Sequence, residues 1–428
     1  MADSADSNEP ADSPDVDAAS ATAIEGTGRG RTAAASPRAR AGSGVRRARF
    51  DLRPSRRAVL VGAWASGAAA LAAACSSGAG PSTGSSAAAE NALQGATESF
   101  PITIKHTYGS TTIASEPTRI AAISTVDADV VISLGLVPAG VPAVDAAGDD
   151  AYPWTVEGLD ALGADVGTDA APAVYDDLDE FDVEAMADLE PDLILGVHSG
   201  MSEQEYRRLS AIAPTLAYPA DAVAYEASWE AVTVAVGRAL GRSAAAEALV
   251  NTTTDVLTST ITANPILRGA TYAAVSIDVS GPSITLYTES DTRSQVLWQL
   301  GLTPAPVVAR AGQDADDVAV SFPLADAAQL TADLLWVQVG DTDAVESIKT
   351  DPRLATIPAV AAGTALFVTD TMAAASLKAA SPLSLPWCCE HHVPDIAAAV
   401  ETSRAVATAS ATAVGSAAAS PAASSTAP

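Results

Sequence analysis

The chain is 428 residues long and carries 23 Lys and Arg against 52 Asp and Glu, a formal net charge of −29. Acidity on this scale argues against DNA, RNA or an anionic membrane surface as partner, because phosphate contacts need clustered Lys and Arg. Three cysteines leave no disulfide framework, and with aromatic residues at 4% each Trp and Tyr is informative.

Residues 1–54 are polar, an acidic block followed by an Arg-rich one without apolar periodicity, and are predicted to be a disordered extension. Residues 55–75 read SRRAVLVGAWASGAAALAAAC, two arginines leading through an apolar run into small residues and a cysteine. The run from Ala58 to Ala74 is about 17 residues, short of the roughly 20 that a spanning helix needs. That order predicts an export signal. Ser55 to Leu60 resembles the twin-arginine motif, and Leu71 to Cys75 resembles a bacterial lipobox with its leucine one position early. Cys75 is therefore the expected lipidation site, which places the protein outside the cytoplasmic membrane and tethered to its outer face. Residues 76–99 are Gly, Ser, Ala and Thr in the main, the composition of a flexible tether.

From residue 100 to 223 strand-like apolar runs (119–124, 139–144, 191–197, 215–219) alternate with helical patterns (130–135, 183–190, 205–213). The alternation predicts an α/β lobe around a largely parallel sheet. Residues 224–264 are helical in pattern and free of proline until Pro265, which predicts one connecting helix that reaches roughly 50 Å if unbroken. Gly237 and Gly241 weaken it locally. A second α/β lobe is predicted over 265–404, with strands near 272–278, 283–288, 333–339 and 365–370, and a helix at 293–301. The low-complexity tail, 405–428, is predicted to be disordered. The fold class is thus α/β, two Rossmann-like lobes with mainly parallel sheets joined by one long backbone helix.

Several segments together, the run from Phe100 to Val144, EPDLILGVHSGMSEQEYRRLSAIAPTLAYP, TDPRLATIPAVAAGTALFV and SPLSLPW, resemble the iron-siderophore substrate-binding lipoproteins of ABC importers. The resemblance extends in family order from Phe100 to about Ala398. It implies two lobes holding a ferric siderophore in a shallow cleft and passing it to an ABC permease, as a monomer without catalysis. A siderophore already satisfies its iron, so the protein needs aromatic faces and a few donors and no metal ligands or cofactor of its own. A haem or a corrinoid is the alternative cargo. Acidity of the chain favours neutral or cationic hydroxamate complexes over highly anionic catecholates.

Cleft residues are expected in loops after strands, since ligands of open α/β sheets sit outside the strand carboxyl ends. Tyr152 and Trp154 occupy such a loop, with a local hydrophobic cluster as the rival reading. His198, Ser199 and Gly200 follow a strand directly. Trp229 opens the connecting helix near Tyr225, where core packing competes. In the second lobe Tyr287 and Arg293 flank TESDT, and similar proteins use an Arg or Tyr in this region to meet siderophore oxygens. The planar fork of Arg suits that task. Lys378 is a rim candidate. By resemblance, permease docking falls to an acid on the first helix of each lobe, Asp129 (with Asp127 competing) and Asp326.

The run WCCEHH gathers Cys388, Cys389, Glu390, His391 and His392, the densest set of ligand-type atoms in the chain. Adjacent helical residues point about 100° apart, and tetrahedral sites use spacings that bring ligands to one face. Only one pair, Cys388 with His391 or His392, meets that spacing, so no metal site is expected. A tethered metal-dependent hydrolase is a weak rival, because H-E-x-x-H is missing from the sequence and it holds four His.

Overall fold

The computed structural model describes residues 96–144, 151–175, 183–311 and 317–418, with side chains to residue 412. Cys75, the export signal, the extension before it and residues 76–95 of the tether lie outside the described residues, as do residues 419–428 of the tail.

The first lobe opens with a hairpin, β1 (Ile102–His106) and β2 (Gly109–Ile113). Its sheet alternates strands and helices: β3 (Ile120–Ala122), α1 (Thr125–Ser133), β4 (Gly140–Pro142), α2 (Pro153–Ala161), β5 (Ala173–Tyr175), α3 (Val183–Asp188), β6 (Leu193–Gly196), α4 (Glu203–Ser210) and β7 (Thr215–Ala217). The strands are parallel in the order β5-β4-β3-β6-β7. Every residue of β3 and β6 is buried, the pattern of strands covered on both faces. Ser124 caps α1, and Ser202 with Glu205 forms a reciprocal capping box on α4.

The segment predicted as one connecting helix is two. α5 (Trp229–Ala239) and α6 (Ser243–Ala263) meet at Gly241, whose φ of +67° breaks the helix. α6 bridges the lobes: Ala246 lies in the first-lobe core and Leu257 in the second-lobe core. Its 21 residues span about 31 Å, well short of the unbroken length. Residues 96–99, assigned to the tether, dock on this elbow. The Thr97 N–H donates to the Gly241 carbonyl (2.9 Å), and Glu98 accepts from the Ser243 N–H (3.1 Å), which places a carboxylate at the N-terminus of α6.

The second lobe contains β8 (Thr271–Ile277), β9 (Ser283–Tyr287), α7 (Thr292–Gln299), β10 (Thr303–Pro304), α8 (Pro306–Ala311), β11 (Ala319–Pro323), β12 (Leu334–Gln338), α9 (Thr342–Thr350), α10 (Pro358–Ala362), β13 (Leu366–Val368), α11 (Thr371–Lys378), α12 (Ser384–His391) and α13 (Val393–Ala418). The sheet order is β11-β9-β8-β12-β13, with β10 also beside β8. β8, β10, β12 and β13 run parallel, while β9 pairs antiparallel with both β8 and β11. Trp336 and Tyr272 fill the core. α13 carries the chain as helix through Ala418, so the disorder predicted from residue 405 does not hold up to that point. Alanine-rich sequence reads as low complexity and is also the best helix former. No helix among the described residues is long and apolar enough to cross a membrane.

A Cβ at Gly241 would lie 3.0 Å from the Phe100 ring and 3.1 Å from the Ala96 Cβ, on a backbone that L-residues avoid. Gly241→Ala is expected to destabilise the protein by about 1–2 kcal/mol, from the left-handed conformation alone. Urea unfolding followed by far-ultraviolet circular dichroism measures it.

Candidate functional site

At the carboxyl end of β9, Tyr287 leads into the turn that starts α7. Asp291 caps that helix, accepting from the Arg293 backbone N–H at 2.9 Å. The same carboxylate accepts from Arg293 Nη1 at 2.8 Å, and the two side chains are buried together, Arg293 being 6% exposed. The guanidinium carbon sits 4.1 Å from the Tyr287 ring centroid, a cation–π contact. Tyr287 Oη donates to Gln338 Oε1 at the end of β12 (3.4 Å). Lys378 ends α11 and is exposed. Partial desolvation first, then the Arg293 charge, push its pKa down, with Asp291 opposing.

The first lobe meets this group with His198, directly after β6. Burial first, with the Lys378 charge adding to it, lowers the His198 pKa to about 4, so its imidazole is neutral at pH 7. The charge of Lys378 in one lobe thus acts on His198 in the other. The His198 backbone N–H points at both oxygens of Asp127 (3.4 Å each). Tyr225 stands edge-on to His198 with centroids 6.1 Å apart. It is 54% exposed and held at φ +65°. Its ring covers Gly200, where a Cβ would come within 2.2 Å. Arg293, Tyr287, Lys378 and His198, named separately in the sequence, are thus brought together.

Four other candidates turn inward. Ser199 is buried, its hydroxyl donating to the Gly196 carbonyl (2.7 Å) as part of a turn. Trp229 is in the second-lobe core, its Nε1 donating to Gln299 Oε1 (2.9 Å) while Gln299 Nε2 donates to Glu230 (2.8 Å). Core packing is the correct reading there. Trp154 is buried and donates through Nε1 to Asp129 (2.9 Å). Asp129 itself is fully buried, so it presents nothing to a permease. It accepts from Trp154, from Thr155 Oγ1 (2.7 Å) and, across the lobes, from Ser381 Oγ (2.7 Å). Tyr152 is half-buried and stacked on Trp154 (4.6 Å), which in turn meets Trp387 (5.3 Å). Asp326 is exposed, accepting from Gln329 Nε2 (3.1 Å).

The WCCEHH side chains diverge. Cys388 is buried and its thiol pKa is pushed up to about 12 by burial. His392 is buried and accepts from Trp336 Nε1 (3.0 Å), and His391 stacks flat on Trp387 (4.4 Å) at the surface. Among the described residues no three His, Cys, Asp or Glu side chains converge on a point. Sequence reasoning passed over Asp291, Thr155, Ser381 and Gln299. Of these only Asp291 left a trace, as an Asp two residues before Arg293 at a helix start.

Two α/β lobes bridged by one helix, with side chains from both facing each other at the strand ends, define a solute-binding protein. The chain belongs to the periplasmic binding protein family, whose profile matches residues 120–370, more than half of the chain. A Bacillus subtilis protein described as a probable siderophore-binding lipoprotein, YfiY, is 34% identical over 116 residues, 27% of this chain and 32% of that relative. The match thus spans about a third of that relative's length. The iron-uptake substrate-binding protein PiaA of Streptococcus pneumoniae, solved in complex with ferrichrome, is similar with a TM-score of 0.64 and 27% identity, over 70% of this chain and 99% of that one. A periplasmic solute-binding protein of Mycobacterium smegmatis shares the fold (TM-score 0.59, 24% identity, 70% of this chain and 98% of that one).

Burial lifts the pKa of both Asp127 and Asp129 to about 7, against the hydrogen bonds that each accepts. Their unfolded-state value is 3.8, so between about pH 4 and pH 7 the folded state holds protons that the unfolded state has lost. Stability contributed by these groups therefore falls as pH rises through that window. Asp129→Asn is expected to flatten the fall in a series of urea unfolding curves from pH 4 to 7.5. Asp129→Ala, which strands three buried donors, is expected to cost about 3 kcal/mol or more at any pH in the series.

Proposed function

We propose that this protein captures a ferric siderophore complex between its lobes and delivers it to an ABC permease for iron uptake. The observation that carries the reading is the meeting of Arg293, Tyr287 and Lys378 of one lobe with His198 and Tyr225 of the other, on a chain of the periplasmic binding protein family. The ferrichrome complex of PiaA and the description of YfiY support iron-siderophore cargo. Aromatic faces and a guanidinium suit a complex whose iron is already coordinated: rings pack on its organic shell, and the Arg fork addresses its outward oxygens. The role is binding, with no step of chemistry assigned to the protein.

The protein works outside the cytoplasmic membrane. Lipid attachment at Cys75 after twin-arginine export would keep it near the permease, and at least two acyl chains make such an anchor stable. Asp326, exposed on the second lobe, is the remaining docking acid of the two anticipated.

Titrating the mature protein with ferrichrome is expected to quench its tryptophan fluorescence. Arg293→Lys keeps the charge and loses the fork, and is expected to weaken binding roughly tenfold. Quenching by haem or a corrinoid and by no ferric siderophore would replace the cargo. In cells, Cys75→Ala is expected to move the protein from the membrane to the soluble fraction. Asp326→Lys is expected to lower iron uptake with ferrichrome affinity unchanged, and uptake at the wild-type rate would remove Asp326 from docking.

A further inference from the structure

The binding reading leaves open why the guanidinium placed to meet the cargo is already paired. Asp291 is bound to Arg293 twice, through the backbone N–H and through Nη1, and both side chains are buried. Its cap role holds the carboxylate at the start of α7, so the pair is built into the helix rather than formed by chance on a surface. Tyr287 covers one face of the same guanidinium. The charge of Arg293 is therefore spent locally. Of the other groups brought together there, His198 is neutral at pH 7, and the Asp291 carboxylate acts on Lys378 as well as on Arg293.

Resting on the proposed siderophore cleft, we infer that Asp291 sets the charge class of the cargo, tuning the site to neutral ferric hydroxamates and against anionic ferric catecholates. Three hydroxamates lose one proton each and cancel the charge of iron(III), whereas three catecholates lose two each and leave a trianion. Moving a trianion out of water needs several cations to meet it, and a neutral complex needs only donors. The guanidinium within its ion pair still donates hydrogen bonds but offers little net attraction. The chain as a whole, with 52 acids against 23 bases, adds repulsion of the same sign.

The test compares affinities of the full mature protein for ferrichrome, a neutral trihydroxamate, and for ferric enterobactin, a trianionic tris-catecholate. Wild type is expected to favour ferrichrome by at least roughly tenfold. Asp291→Asn, which still caps the helix but leaves Arg293 uncompensated, is expected to shift the ratio toward the trianion by roughly tenfold or more. Asp291→Ser does the same should the Asn variant fail to fold. Glu346→Gln, which removes an acid from the exposed face of α9, is expected to leave the ratio unchanged and so separates local from overall charge. Ferrichrome binding with an equal or tighter affinity for the trianion, or an unchanged ratio in the Asp291 variants, overturns this inference while leaving the cleft assignment standing. Binding of neither complex by wild type overturns both.

Discussion

The arrangement of the two lobes turns on one buried carboxylate. Asp129 gathers donors from α2 and, through Ser381, from the segment in which the chain returns from the second lobe to the first. An ionisable group so placed is tolerated only where its oxygens are satisfied, and the demand for satisfaction fixes where Ser381 and α2 must sit. A second polar contact, Trp229 and Glu230 to Gln299, pins α5 to the end of α7. With α6 running through both cores, the lobes are held at three places, and the side chains at the strand ends meet in a site whose walls belong to different lobes.

The charges of that site follow from short-range chain geometry. The helix beginning after β9 needs a cap, Asp291 provides it, and Arg293 two residues later falls within its reach. In the first lobe the turn after β6 needs Ser199 for its own carbonyl, which leaves His198 at the opening. Residue type pointed to Arg293, His198 and Ser199 and passed over Asp291. Local hydrogen bonding decides which one is turned inward.

The sheets were legible in the sequence because parallel strands covered on both faces leave unbroken apolar runs such as LILG, and helices between them keep a different period. β2 and β11 were not, since GSTTI and AVSFP are short, partly exposed and weakly patterned. The elbow at Gly241 was only hinted at: a glycine inside a helical pattern weakens it, but the positive φ depends on contacts with Ala96 and Phe100 far away in sequence. Arg293 was singled out through the family resemblance, by its place between a strand and a helix, and the planar fork of Arg suits the task. Trp154, Trp229 and Asp129 misled for a common reason. An indole or a carboxylate at or near a helix start looks available to a partner until its own hydrogen bond, made to a residue in another element, draws it inside.

The continuity of α6 bears on kinetics. A binding protein whose lobes swing widely must close before its complex is secure, and that closure slows capture and guards release. Here one uninterrupted 21-residue helix and two polar pins resist a large swing. Encounter with a ligand then proceeds at a rate set by diffusion and the local field. In the proposed capture role, release is then governed by the contacts of the site and not by the reopening of a closed form.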